Sequence, residues 1–267
     1  MLKSSDCGLR NADFPSPFRG EGLGEGRESP LDELLIQLTL GGIPASPRKI
    51  LFRGEGTGGI ASYVAGWMAG QGMDAIVLDG ANRFNPYIAS SFARKALISP
   101  EEILKGIRIA RAFTCYQMAT LMEKLISLVG AIHACTPKCG VSARRHESPL
   151  QRPRVILLGP ITTFLDEDVP EREVRPLFER SLERVEEMAL RGIPFSLFQS
   201  PVSPSPKRAY LMKRLSQFSD LVWKIDFDEQ GAKMVLEKGI RVKNIIENCK
   251  LQNEQWKFRE KIPFSCR

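Results

Sequence analysis

Histidine is nearly missing from this chain. The 267 residues hold two, His133 and His146, so any imidazole chemistry is confined to one loop between Gly130 and Pro153. Long apolar runs are missing as well: none approaches the 18 or more residues that a membrane-spanning helix needs. The opening residues, MLKSSDCGLRNADFP, lack the charged-then-apolar layout of a secretion signal. A cytoplasmic protein is therefore expected. The six cysteines are spread through a chain of ordinary size, which suits free thiols in a reducing compartment and speaks against a disulfide framework. A large charge excess is absent too. A net charge of +7 permits an acidic partner such as nucleic acid without requiring one.

What is present is organised around Lys49 to Phe84, KILFRGEGTGGIASYVAGWMAGQGMDAIVLDGANRF. Ile50, Leu51 and Phe52 make a short apolar run, and Gly54, Gly56, Gly58 and Gly59 follow it with a backbone able to turn sharply and point N–H groups inward. Ile60 to Gln71 has small and apolar residues at helical spacing. Ala75 to Leu78 is a second buried strand ending at Asp79. Strand, glycine turn, helix and strand make a nucleotide-binding type of βαβ unit. Two readings share it. As G-x-G-x-x-G, the residues Gly54, Gly56 and Gly59 fit an NAD(P) fingerprint, with Asp79 about 20 residues on where a ribose-binding acid belongs, which would make the chain an oxidoreductase. As a P-loop, Gly54 to Gly59 match the glycines, with Glu55, Thr57 and Gly58 between, while Ile60 and Ala61 stand where Lys and Ser/Thr are required.

The flanking chain is read as follows. Residues 1–30, rich in Pro, Gly, Ser and charge, read as a disordered tail. Leu31 to Leu40 reads as a short helix stopped by Gly41 and Gly42, opening a core domain that extends to residue 245. Ser99, Pro100 and Glu102 form a capping-box pattern, so a helix starts there. Ile107 to Phe113 reads as a buried strand interrupted by Arg108 and Arg111, and helical period returns from Tyr116 to Leu128. Residues 130–153 form a flexible basic insertion, with Arg144 and Arg145 as candidate phosphate contacts. In it His133, Cys135, Cys139 and His146 supply tetrahedral-zinc ligand types at no standard spacing, and incidental thiols in a loop are the plainer reading. Arg154 to Pro160 and Ile193 to Gln199 read as strands, Pro170 to Arg191 as a long amphipathic helix, and Leu221–Phe227 with Ala232–Leu236 as a hairpin. Lys207, Arg208, Lys213, Arg214 and Lys224 gather as a second basic region, suited to nucleic acid. Residues 246–267 read as a loose basic tail. Alternating strands and helices imply an α/β protein, a mostly parallel sheet covered on both faces with an antiparallel hairpin at one edge.

After the second strand, Asp79, Phe84, Pro86, Pro100, Glu101, Glu102, Ala110, Arg111, Ala112, Phe113 and Gln117 keep the order and spacing found in one family. The stretch from Ile50 to Leu125 resembles the ATPase core of the RecA and RadA type strand-exchange recombinases, and Gly54 and Glu55 match the Gly-Glu that opens their P-loop. The resemblance implies a RecA-like fold, ATP as the nucleotide, and DNA, a recombinase or a second copy of the chain as partner. It also implies a nucleotide-sensing role for Gln199 at the end of its strand. The reaction, however, needs a phosphate-binding Lys, a magnesium-binding Ser or Thr, a Walker B Asp and a catalytic Glu. The matching positions hold Ile60, Ala61, Gly159 and Ala81. The resemblance thus implies a degenerate site that holds ATP weakly through Gly54, Glu55, Gly56, Thr57, Gly58, Gly59, Ile60 and Ala61, with a regulatory ATP-binding module that does not use DNA as the alternative. The loop after Gln199 is shorter than the family's DNA loop, and single-stranded DNA is the expected nucleic acid.

Overall fold

The structure is a computed structural model and describes residues 49–134, 153–228 and 231–239. The helix expected at Leu31 to Leu40, both tails and most of the basic insertion lie outside these residues. In chain order the elements are β1 (Ile50–Gly54), α1 (Thr57–Gly70), β2 (Ala75–Asp79), α2 (Pro86–Lys95), α3 (Pro100–Lys105), β3 (Ile107–Arg111), α4 (Cys115–Ala134) and β4 (Arg154–Leu158). A 3-10 turn (Thr162–Leu165), α5 (Glu171–Leu190), β5 (Phe195–Gln199), α6 (Ala209–Phe218), β6 (Leu221–Asp228) and β7 (Gly231–Lys238) follow. The strands form one seven-stranded sheet in the order β3-β2-β4-β5-β1-β6-β7. All neighbours are parallel except β6 and β7, which form the expected antiparallel hairpin. The architecture is α/β and consistent with a RecA-like fold.

Side-chain alternation along the strands sorts the core into two halves. Ile50 and Phe52 of β1, Ala75 and Val77 of β2, and Ile156 and Leu158 of β4 face one side, where Ile60, Ala61, Val64, Ala65 and Met68 of α1 cover them. Leu51, Ile76, Leu78, Val155, Leu157 and Leu197 face the other, under α4, α5 and α6. The central strands β1, β2, β4 and β5 are therefore mostly apolar on both faces, which is why these runs stand out in the sequence. Small residues set how closely the first layer packs. A Cβ on Gly66 of α1 would lie 3.0 Å from the Ala89 backbone, so α1 and α2 approach nearly backbone to backbone.

Two local expectations are corrected. Ile107 to Phe113 is not a buried strand: β3 stops at Arg111, sits at the sheet edge, and leaves Ile109 42% and Phe113 66% exposed. Its apolar residues resemble those of a core strand in kind, but only β2 pairs with it. The Ser99 side chain makes no capping bond. Its carbonyl accepts the Glu102 N–H instead, and Pro100 at the first position fixes the start of α3. Side-chain caps occur at Asn85, whose Oδ1 accepts from Tyr87 N at 2.9 Å, and at Thr114, whose Oγ1 accepts from Gln117 N at 3.2 Å. Gln117 Oε1 in turn accepts from Phe113 N at 2.8 Å.

Gly54 is where the fold is least tolerant. Its φ is 134°, and an added Cβ would stand 1.9 Å from the Ile225 carbonyl oxygen on β6. Gly54→Ala must push β1 from β6 and strain the backbone, so a loss of about 3 kcal/mol or more is expected in urea unfolding. An unchanged midpoint would mean that β1 and β6 are not in this register.

Candidate nucleotide and nucleic-acid site

The glycine turn is tighter than a phosphate loop. β1 ends at Gly54 and α1 begins at Thr57, leaving Glu55 and Gly56 as the whole connection. Gly56 occupies the N-cap position at φ 67°, and its carbonyl accepts the Ile60 N–H at 3.0 Å. Of the eight residues expected to cradle a phosphate, Gly54 to Ala61, only Glu55 and Gly56 lie between strand and helix. Thr57, Gly58, Gly59, Ile60 and Ala61 all belong to the helix, and Ile60 and Ala61 are buried against the sheet. The first-turn amides of Thr57, Gly58 and Gly59 have no intrahelical acceptor, as at any helix start. The Ile60 amide is already used. Two of the glycines here also have a steric reason to be glycine: a Cβ on Gly56 would lie 2.5 Å from the Phe227 ring, and one on Gly58 would lie 2.9 Å from Arg83 Cβ, whereas one on Gly59 would meet only Ile88 at an ordinary 3.5 Å.

Polar side chains at the carboxyl ends of β4 and β5 are largely spent on the fold. Thr57 and Ser200, both buried, share a hydroxyl hydrogen bond of 3.0 Å that ties α1 to the end of β5. Gln199 is fully buried. Its Oε1 accepts from Ile161 N at 3.2 Å, while its Nε2 donates to Ser200 O at 3.0 Å and to Thr162 Oγ1 at 3.4 Å. The amide therefore clamps β5 to the turn after β4, with both ends engaged.

Asp79 is displaced from the role the dinucleotide reading gave it. In the sheet, β5 and β4 stand between β1 and β2, so the ends of β1 and β2 are three strand spacings, roughly 14 Å, apart. A ribose held by Asp79 would not be beside the glycine turn. The carboxylate is fully buried, accepts the Arg83 N–H at 3.1 Å and the Phe84 N–H at 2.9 Å, and faces Arg111 Nε at 3.7 Å. Two segments, the loop after β2 and the end of β3, are thereby fixed to one group. Alongside it, Gly159 and Ala81 approach closely. A Cβ on Gly159, at φ 69°, would come within 2.5 Å of Ala81 Cβ and 2.8 Å of Ala81 N. This packing has no room for a carboxylate at Gly159.

The second basic region divides on inspection. Arg208 is buried, and its Nη2 donates to the carbonyls of Asp166 and Val169, so it pins the turn after β4 instead of facing a phosphate. Arg214 makes a forked contact with Glu179, at 3.0 Å from Nε and 2.9 Å from Nη2, and Lys224 pairs with Asp226 at 2.8 Å. Lys207 and Lys213 remain exposed and without ion pairs among the described residues. Arg144, Arg145, Cys135, Cys139 and His146 lie outside the described residues, as does the His133 side chain. Among the described residues no group of three metal-type ligands occurs. Cys115, the first residue of α4, is a buried thiol whose pKa is pushed up by burial, against a smaller opposing pull from the amides of Tyr116 and Cys115. It is a packing residue, not a nucleophile.

Sequence reasoning passed over Arg83, Tyr87 and Phe113 as exposed functional groups. Tyr87 is 77% exposed, and Arg83 makes no ion pair among the described residues. Proline at Pro86 and the Asn85 cap could have flagged Tyr87, since a second helical residue points off the helix start and has little to pack on. No described helix is long and apolar enough to cross a membrane. Neither a scan against protein-family models nor a search of curated proteins finds a match for this chain.

The division between basic residues is measurable. Arg208→Ala leaves the Asp166 and Val169 carbonyls without their donor and opens a buried space, so it is expected to cost about 2–4 kcal/mol in chemical denaturation. Lys207→Ala should leave the unfolding midpoint where it is. Equal, small effects would return Arg208 to the surface.

Proposed function

We propose that the chain is a catalytically degenerate RecA-like protein, an accessory in recombination or repair that acts by binding DNA or a recombinase and not by turning over ATP. The supporting observation is the packing of the two loops after β2 and β4, where a side chain at Gly159 would collide with Ala81 and Thr162, so that no carboxylate fits at Gly159. Ile60 and Ala61 add to this. Their side chains are core residues of α1, so the charge that a transferring phosphoryl group requires is missing from the helix start as well. The Thr57 and Ser200 hydroxyls are buried and bonded to each other, so a phosphate would be held weakly, by the first-turn amides of α1. Weak retention and absence of turnover are therefore expected together. The dinucleotide alternative loses its ribose-binding acid to the strand order.

Phosphate release by rigorously purified protein, with and without single-stranded DNA, tests the reading. No steady release is expected, and Ile60→Lys with Ala61→Thr should not create it, because Gly159 and Ala81 still supply neither metal ligand nor base. Steady turnover by the unmodified chain would overturn the proposal, since some other group would have to supply the missing charge.

A further inference from the structure

Two exposed aromatic side chains and two arginines lie at the carboxyl end of β3 and on the segments that follow β2 and β3. Tyr87 and Phe113 are 77% and 66% exposed, the most exposed aromatic side chains among the described residues. Buried Asp79 holds the two chain segments that carry them: it takes the amides of Arg83 and Phe84, faces Arg111, and its own carbonyl accepts from Ala112 N at 3.1 Å. Arg111 Nη2 also reaches the Phe84 carbonyl at 3.4 Å, tying the β3 end directly to the loop before α2. The Asn85 and Gln117 caps then fix Tyr87 and Phe113 at the amide, Tyr87 as the second residue of α2 and Phe113 two residues before α4. Arg83 is exposed and unpaired among the described residues, and Arg111 is half-exposed beside its buried partner.

We infer that this patch is a stacking platform for single-stranded nucleic acid, with Tyr87 and Phe113 taking base faces and Arg83 and Arg111 meeting the backbone. Aromatic rings interleaved with arginines on a pre-organised surface are what sequence-tolerant binding of single strands uses. Acids bound the platform on one side. Glu173 accepts from the Tyr116 hydroxyl at 2.5 Å, and Asp166, Glu167 and Asp168 are exposed beyond the 3-10 turn. A strand must therefore cross on the Arg83 and Tyr87 side and not along α5. The inference rests on the binding-accessory reading above and gives its nucleic acid a location; the ATP measurement judges that reading separately.

Fluorescence anisotropy of a labelled oligo-dT of about 20 nucleotides, long enough to cover a site of the usual size, is the test. Tyr87→Ala with Phe113→Ala is expected to weaken binding about thirtyfold or more, whereas Tyr87→Trp with Phe113→Trp retains it. Arg83→Ala should reduce the slope of log K against log salt by about one. Circular dichroism checks that these surface variants stay folded. If the alanine pair binds like the parent while Lys207→Ala with Lys213→Ala abolishes binding, the platform is overturned and the accessory reading stands with its contacts at α6. No binding by the parent at low salt also overturns the platform, and leaves the exposed aromatics to a protein partner.

Discussion

Burial of the central sheet on both faces is the constraint from which most of the structure follows. With helices above and below, β1, β2, β4 and β5 are mostly apolar, with Ser196 and Arg53 the polar side chains inside them, and every crossover must return a helix to one face or the other. Polar groups are consequently forced to the carboxyl edge, where Asp79, Gln199, Thr57 and Ser200 are all found. Once buried there, each needs partners, because an unsatisfied polar group would cost on the order of 1–3 kcal/mol. The partners they take are neighbouring loops: Asp79 joins β2 to β3, Gln199 joins β5 to the turn after β4, and Thr57 joins α1 to β5. A row of residues that could have faced a nucleotide is thereby turned into a row of clamps.

How much of this could be read from the sequence varies with the kind of contact involved. The strands with two buried faces were legible because burial makes them continuous apolar runs, and the β6–β7 hairpin because its two apolar stretches flank a glycine-containing turn. β3 misled for the same reason: Ile107 and Ile109 look like core residues, and nothing local says that no strand lies beyond them. The site residues were harder. Asp79 ends a strand and lies about 20 residues past a glycine pattern, but its distance from that pattern depends on strand order, which one-dimensional spacing does not contain. Arg208 and Lys207 are neighbours of one charge type, yet one is buried against two carbonyls and the other is solvated. Only long-range packing tells them apart.

The same distinction bears on the glycines from which a nucleotide site was first inferred. A glycine-rich turn between strand and helix is evidence for a ligand only if the glycines would otherwise be free to vary. Here Gly54 gives way to a carbonyl of β6, Gly56 to the Phe227 ring and to its own left-handed backbone, and Gly58 to Arg83. Each is accounted for by packing within the chain. Such a turn is required to join β1 to α1 beside β6 whether or not it holds a ligand. Glycines that packing requires are no evidence for a ligand, and what the fold leaves exposed at that edge is two aromatic rings and an arginine without an ion pair among the described residues.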